Sequence, residues 1–122
     1  MNTLRVPVDP WNPDPAVLRE AAAVLRRGGL IAFPTKTVYR LRANALNADA
    51  VRGIYRAKGR PSDNPLILHL ARREEAERLA RPTPRARSLM SAFWPGPLTL
   101  VLPARPVVDI LRPHIPWGAR PV

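Results

Sequence analysis

Residues 33–70 read FPTKTVYRLRANALNADAVRGIYRAKGRPSDNPLILHL, and this stretch decides the fold. An apolar run ending at Phe33 is followed by a run of hydroxyl residues, a helical pattern that begins at Asn47, and a basic loop, KGRP, at residues 58–61. A second apolar run, Leu66–Leu70, closes the stretch. Apolar runs that alternate with helical patterns are typical of an α/β fold, with helices packed on a sheet.

The flanking sequence continues this alternation. We predict helices at Pro15 to the glycine pair 28–29, at Asn47 to about Ala57, at Arg73–Ala80, and from Thr83 or Pro84 to Phe93. We predict strands at Leu4–Val8, where the pattern is weak, and at Leu30–Phe33, Leu66–Leu70 and Leu98–Leu102. No repeat or linker interrupts the pattern, so residues 1–122 are predicted to belong to one domain.

Composition narrows the class of protein. Lys and Arg number 20 against 9 Asp and Glu, which gives a net charge of +11 and favours polyanionic ligands such as a nucleotide triphosphate or RNA. A general bias towards arginine explains the same charge without any ligand. The absence of cysteine excludes disulfides and thiolate chemistry. No signal peptide or membrane-length apolar run is present, so we expect a soluble, cytoplasmic protein without a membrane partner.

Three hydroxyl side chains follow the first buried strand. If residues 35–39 are extended, Thr35, Thr37 and Tyr39 share one face, because side chains alternate along a strand. They could then bind the carboxylate and hydroxyl of a small ligand. Threonine and tyrosine also favour strands for purely structural reasons, and the spacing alone does not separate the two interpretations.

The basic loop is a candidate phosphate site. Pro61 disfavours a helical Arg60, which predicts an extended loop in which Lys58 and Arg60 point the same way. Gly59 would let a phosphate approach the backbone, and the two cations suit a triphosphate. The alternative is that Lys58 only stabilises the C-terminal end of the preceding helix.

His69 is expected on the outer face of the predicted strand Leu66–Leu70, together with Ile67. A lone histidine of this kind is more often a packed residue than a catalyst. No carboxylate pair, no HExxH spacing and no nucleophile–base arrangement accompanies it, so we expect no metal held by protein side chains. Chemistry at such a site would depend on positioning and charge stabilisation.

Five blocks carry a resemblance to a known family: VPVDP, LRRGGLIAFPTKTVY, ANAL, AKGRPSDNPLILHL and FWPGPLTLVLP. Together they resemble the YrdC/TsaC family of threonylcarbamoyl-AMP synthases, from about Leu4 to Leu102. The resemblance implies a twisted, open, mixed α/β sheet. It also implies synthesis of threonylcarbamoyl-AMP from L-threonine, bicarbonate or CO₂, and ATP, with release of pyrophosphate.

The resemblance also implies partners. ATP enters as a substrate with Mg²⁺, and no tightly bound cofactor is expected. A downstream complex transfers the threonylcarbamoyl group to a tRNA adenosine, and binding to tRNA or other double-stranded RNA is implied as well.

Site residues follow from the same resemblance. Lys58 and Arg60 are implied to bind ATP and to act in catalysis, with Asn64 nearby at the nucleotide. The residues implied to bind L-threonine are Thr35, Thr37, Tyr39 and His69.

The chain departs from the family pattern in the run of hydroxyl residues and just after it. Lys36, Arg40 and Arg42 stand where the family usually has a glutamate and two glycines. If those glycines adopt positive φ, each arginine would cost about 1–3 kcal/mol. The family domain also continues through a Ser-x-Asn motif that completes the nucleotide site, and no such motif occurs here. We therefore expect an N-terminal portion of the family domain, incomplete at its C-terminus.

Two alternatives to the synthase stay open. One is a catalytically inactive fragment that binds RNA or nucleotide through its basic surface, which predicts a strong inverse dependence of affinity on salt. The other is a non-functional truncated product, which predicts exposed apolar surface and aggregation.

Overall fold

The structure is a computed structural model that describes residues 2–59 and 66–109. The chain divides into two compact units, Met1–Ala57 and Lys58–Val122, and each is described by itself. Within the described ranges, every helix is too short or too polar to cross a membrane.

The first unit begins with helix α1, Pro15–Arg26, as predicted. The Asp14 carboxylate accepts a hydrogen bond of 2.9 Å from the amide of Ala16, which satisfies one of the free amides at the helix start. The helix ends where Gly28 adopts a φ of 85°. The predicted strand Leu4–Val8 is wrong, because residues 4–8 form no ladder and their apolar side chains are exposed.

A β-hairpin follows α1. Strand β1, Ile31–Pro34, pairs antiparallel with strand β2, Tyr39–Arg42, and the register places Ile31 opposite Arg42 and Pro34 opposite Tyr39. In the part of the chain that the structure describes, the sheet contains these two strands alone. A two-stranded sheet is marginal in water without further packing.

Helix α2, Ala48–Lys58, confirms the second predicted helix. The Asn47 side chain caps it by accepting a hydrogen bond of 3.1 Å from the Ala50 amide. The helix buries Ala50, Val51 and Ile54, which supply the apolar core of the first unit.

The second unit contains helices α3, Glu75–Leu79, α4, Pro84–Phe93, and α5, Pro106–Asp109. Its core consists of Ala76, Ala86 and Met90, with Leu70, Trp94, Leu100 and Leu102 packed against it. Helix α3 starts two residues later than predicted. The Glu75 carboxylate accepts hydrogen bonds of 3.1 Å from the amides of Ala71 and Arg72, and this turn replaces the first helical residues.

The two strands predicted in the second unit are not formed. Leu66–Leu70 and Leu98–Leu102 show the expected alternation, with half-buried leucines and exposed residues between them, but neither segment joins a ladder among the described residues. Where the structure describes the second unit, the pairing present is an antiparallel bridge between Ala80 and Ala104. Alternation predicts which face of a segment is buried, whereas a strand also needs a partner that the local sequence does not specify.

Candidate functional site

The residues between β1 and β2 form a tight turn. The Thr35 amide donates a hydrogen bond of 3.0 Å to the Val38 carbonyl, and the Thr35 hydroxyl donates one of 2.7 Å to the same oxygen. The predicted extended run over residues 35–39 is therefore wrong. A threonine hydroxyl can hydrogen-bond to nearby backbone groups, and here that local bonding stabilises a turn.

The turn keeps the three predicted hydroxyl residues together. Thr35, Thr37 and Tyr39 lie within one hairpin and all are exposed, Tyr39 to 76%. The Thr35 hydroxyl uses its proton in the turn, so it can offer a ligand only its oxygen as an acceptor. Within the described part of the chain, the hydroxyls of Thr37 and Tyr39 have no hydrogen-bond partner, so both can donate to a ligand.

The arginines at the family's glycine positions are not strained. Arg40 and Arg42 lie in strand β2, opposite Phe33 and Ile31, and no described residue other than glycine has a positive φ. The expected strain at these positions is therefore wrong, because a regular strand accommodates any side chain with a Cβ. The Arg42 guanidinium instead lies 5.4 Å from the centroid of the Phe33 ring, within the range of a cation–π contact.

The hairpin is also strongly cationic, a property of the site that the motifs alone do not indicate. Lys36, Arg40 and Arg42 are its charged residues, and the sequence from Ile31 to Asn47 contains no carboxylate. The signal was present in the sequence, because the hairpin lies within an acid-free stretch of 28 residues, Ala21–Ala48. Exposed hydroxyls beside cations that have no carboxylate partner among the described residues favour an anionic ligand.

The basic loop differs from its prediction at the two residues that the structure describes. Lys58 is the last residue of α2 and is exposed, and Gly59 has a φ of 60°. The chain is therefore not extended at residues 58–59, because a left-handed glycine ends the helix there. Arg60 and Asn64 lie outside the described residues.

His69 is exposed in the second unit, on the side of its segment opposite the half-buried Leu68 and Leu70. The predicted facing is therefore confirmed, although the segment is not in a ladder. The hydroxyl residues belong to the first unit. That His69 and the hydroxyls contact one ligand stays a prediction.

Comparisons with known proteins identify the family. The Sua5/YciO/YrdC family model, described as "Telomere recombination", matches residues 23–117. The chain is 54% identical over 110 residues to a threonylcarbamoyl-AMP synthase of Bacillus subtilis, and the aligned residues cover 89% of this chain and 31% of the relative. It is 44% identical over 91 residues to the threonylcarbamoyl-AMP synthase of Halorhodospira halophila, and the aligned residues cover 74% of this chain and 48% of the relative.

Solved structures support the same assignment. The crystal structure of P. abyssi Sua5 complexed with L-threonine is 52% identical, with a TM-score of 0.75, and covers 82% of this chain and 30% of that chain. The solution structure of a Methanobacterium thermoautotrophicum protein is 38% identical, with a TM-score of 0.53. These likenesses confirm the predicted α/β class and the predicted resemblance. The chain spans between about a third and a half of the length of these relatives, and it belongs to the Sua5/YciO/YrdC family.

Proposed function

We propose that this chain supplies the threonine-binding hairpin and part of the ATP site of a threonylcarbamoyl-AMP synthase. The reaction joins L-threonine, bicarbonate or CO₂, and ATP to give threonylcarbamoyl-AMP and pyrophosphate. The product would serve threonylcarbamoyladenosine modification of tRNA through a downstream transfer complex. The observation that carries the proposal is the likeness to P. abyssi Sua5 complexed with L-threonine, at 52% identity over 82% of this chain.

The chemistry of the hairpin supports threonine as the ligand. Threonine carries a carboxylate, an ammonium group and a hydroxyl, so its site needs both donors and acceptors. The exposed hydroxyls of Thr37 and Tyr39 can donate to the carboxylate, and the Thr35 oxygen can accept from the ammonium or hydroxyl. Lys36 and Arg40 add positive charge beside that carboxylate.

The proposed chemical step is a displacement at the α-phosphorus of ATP. The ammonium group of threonine first releases a proton to water, and the resulting amine attacks CO₂ and loses a second proton to water, which gives the N-carboxylate. Its oxygen then forms a bond to the α-phosphorus, while the bond from that phosphorus to the bridging oxygen breaks and pyrophosphate leaves with the electron pair. Little covalent chemistry is required of the protein, so positioning and charge neutralisation dominate.

Lys58 and Arg60 are proposed to neutralise the phosphates, with Mg²⁺ entering on the ATP. The exposed ammonium group of Lys58 at the end of α2 supports this role, because a flexible cation in solvent can reach a polyphosphate. Asn64 is proposed to contact the nucleotide, and His69, exposed in the second unit, to contact threonine.

The test is calorimetric titration of the full chain with MgATP and L-threonine, with bicarbonate present, followed by a pyrophosphate assay. We expect threonine binding to weaken about tenfold or more in Thr37→Val, since one hydrogen bond to a charged group is worth about 1.5–3 kcal/mol. Thr3→Val, in the exposed N-terminal segment, is the matched control and should bind threonine as the wild type does.

Nucleotide binding has its own variant. Lys58→Met should weaken ATP binding and leave threonine affinity unchanged, whereas Arg85→Met, at an exposed position of α4, should change neither. If wild type and Thr37→Val bind threonine with the same affinity and heat, the hairpin is not part of the threonine site. If a folded sample shows no heat of binding for threonine or ATP, the chain shares the ancestry of the synthases but not their activity.

A second candidate, RNA binding without turnover, is favoured by the cationic hairpin and by the exposure of most described arginines. It predicts that affinity for double-stranded RNA falls steeply as salt rises from 50 to 200 mM, by a factor on the order of 10³ if six phosphates are neutralised. Fluorescence anisotropy over that range, with threonine and ATP as competitors, separates the two candidates. Competition by both small ligands supports the synthase site.

A further inference from the structure

The tip of the β1–β2 hairpin carries a lysine between two threonines. The Thr35 amide donates a hydrogen bond of 3.0 Å to the Val38 carbonyl, so Lys36 and Thr37 are the two residues that this bond encloses. Both side chains are exposed, and among the described residues Lys36 has no carboxylate partner. The Lys36 ammonium group, a compact charge on a flexible stem, can therefore reach a ligand that is bound at the neighbouring hydroxyls.

The strand that leaves this turn adds two more cations. Arg40 and Arg42 lie on the same face of β2, because side chains alternate along a strand, and the register places Arg40 opposite Phe33. The Arg42 guanidinium lies 5.4 Å from the centroid of the Phe33 ring, and a contact with a neutral ring leaves the net positive charge in place. Residues 36–42 thus carry three cations and no acid.

The carboxylates of the first unit belong to other elements. Asp14 caps α1, and Asp49 forms an ion pair with Arg52 on α2. Within the part of the chain that the structure describes, no ion pair links a carboxylate to the hairpin. The four acids of this unit are Asp9, Asp14, Glu20 and Asp49.

This distribution of charge distinguishes between two forms of threonine. Free threonine carries an ammonium group beside its carboxylate, and the cations of the hairpin repel that ammonium group. Hydroxyl oxygens can accept its hydrogen bonds, but they do not balance its charge. The N-carboxylate carries two negative charges and no ammonium group. A cation at the hairpin would therefore attract the same end of the molecule at which it repels free threonine.

We propose that Lys36 makes the hairpin selective for the dianionic N-carboxylate of threonine over threonine itself. The affinity for threonine would then depend on bicarbonate, because bicarbonate supplies the CO₂ from which the N-carboxylate forms. This inference rests on the proposed function, since it takes the hairpin to be the threonine site. It adds the form of the ligand that is bound and the residue that selects this form.

The experiment is calorimetric titration of the full chain, without ATP, with three ligands of increasing negative charge. They are L-threonine, which is neutral overall, N-acetyl-L-threonine, a monoanion, and 2-(1-hydroxyethyl)succinate, a stable dianion in which a methylene replaces the NH of the N-carboxylate. We expect the affinity to rise in that order, by about tenfold or more from the first to the last. Equal affinities, or tightest binding of threonine, would overturn the proposal.

Variants of Lys36 test whether this residue selects the ligand. Lys36→Glu, which introduces the residue that the family usually has, should weaken binding of the dianion by about tenfold or more and should not weaken binding of threonine. Lys36→Met should fall between the wild type and Lys36→Glu. Arg5→Glu, in the exposed N-terminal segment, changes the net charge equally and should keep the preference for the dianion. If Lys36→Glu and Arg5→Glu change the preference equally, the net charge of the chain sets it and Lys36 does not.

The outcomes separate this inference from the proposed function. If threonine binds equally well with and without bicarbonate and loses affinity in Thr37→Val, the selectivity is overturned and the hairpin stays the threonine site. If the preference for the dianion depends on Lys36 but no pyrophosphate is released when ATP is added, the synthase activity is overturned and the selectivity stands. If a sample that is folded by circular dichroism binds none of the three ligands, both are overturned.

Discussion

The hydroxyl of Thr35 donates a hydrogen bond of 2.7 Å to the carbonyl of Val38 and thereby closes the turn between β1 and β2. The Val38 amide returns a longer hydrogen bond of 3.4 Å to the same hydroxyl. One side chain thus supports the backbone of the hairpin and lies among the residues proposed to bind threonine. A structural role and a binding role can be separated at this position by substitution.

Thr35→Val removes the hydroxyl and keeps the branched shape. We expect the free energy of unfolding to fall by about 0.5–1.5 kcal/mol, the usual net value of one hydrogen bond. Urea denaturation measures it, and amide exchange at Val38 should accelerate. Thr35→Ser keeps the hydroxyl and serves as the control. If Thr35→Val and Thr35→Ser unfold alike, the turn does not depend on the hydroxyl.

Substituting Arg40 and Arg42 by glycine, the residue that the family usually has at both positions, tests whether the arginines strain strand β2. Because both lie in a regular strand, Arg42→Gly and Arg40→Gly should destabilise the hairpin by about 0.5–1 kcal/mol each and should not relieve strain. Arg42→Gly should cost more, because it also removes the contact at 5.4 Å with the Phe33 ring. Urea denaturation of both variants measures the change in the free energy of unfolding. A gain in stability from either glycine would restore the strained interpretation.

Glu77 should make the second unit sensitive to acid. The Arg87 Nε and Nη2 atoms donate hydrogen bonds of 2.7 and 3.3 Å to the Glu77 carboxylate, and these bonds, with the charge of Arg87, lower the pKa of Glu77 below its ordinary value. A carboxyl with a lowered pKa in the folded state contributes stability above its unfolded pKa, and that stability is lost as the pH falls through the folded pKa. We therefore expect acidification to destabilise Glu77→Gln less than the wild type.

The same pair can be followed by NMR titration. Arg87→Gln should return the pKa of Glu77 towards its ordinary value, because the hydrogen bonds and the positive charge are both lost. Arg85→Gln, at an exposed position of the same helix, is the matched control and should leave the titration of Glu77 unchanged. Equal titrations of Glu77 in both variants would show that the ion pair does not form in solution.

Met90 is the most buried core residue of the second unit, with 2% of its surface exposed. Met90→Ala should cost about 2–5 kcal/mol, because it removes apolar burial and leaves a cavity. Leu89→Ala, half-buried on the same helix, should cost less and is the control. Thermal unfolding followed by circular dichroism measures both. A smaller loss in Met90→Ala than in Leu89→Ala would place the core elsewhere.

The helices could be predicted because their signals are local. Asp14 and Asn47 cap the helices that follow them, and Thr83 caps α4 by accepting a hydrogen bond of 3.1 Å from Ala86. The strands could be predicted only in part. Leu98–Leu102 has the right alternation, but pairing depends on residues distant in the sequence, and no local pattern supplies them.

For the candidate site, the sequence predicts which residues lie together better than it predicts the backbone conformation that they adopt. The sequence places Thr35, Thr37 and Tyr39 close together, but the Thr35 hydroxyl hydrogen-bonds to the nearby backbone and forms a turn where alternation alone favours a strand. At the basic loop, Pro61 favours an extended Arg60, whereas the left-handed φ of Gly59 ends α2 one residue earlier. In both cases a local hydrogen-bonding or glycine preference outweighed the extended interpretation.

Gly59 carries a stereochemical consequence. A Cβ added to this residue would meet no atom of the described residues within 4 Å, yet its φ is 60°. The demand for glycine is therefore one of chirality and not of space. A semisynthetic chain with D-alanine at residue 59 should keep the end of α2 intact, whereas L-alanine should cost about 1–2 kcal/mol. The handedness of a single backbone position, next to the lysine proposed to bind ATP, thus decides how α2 ends.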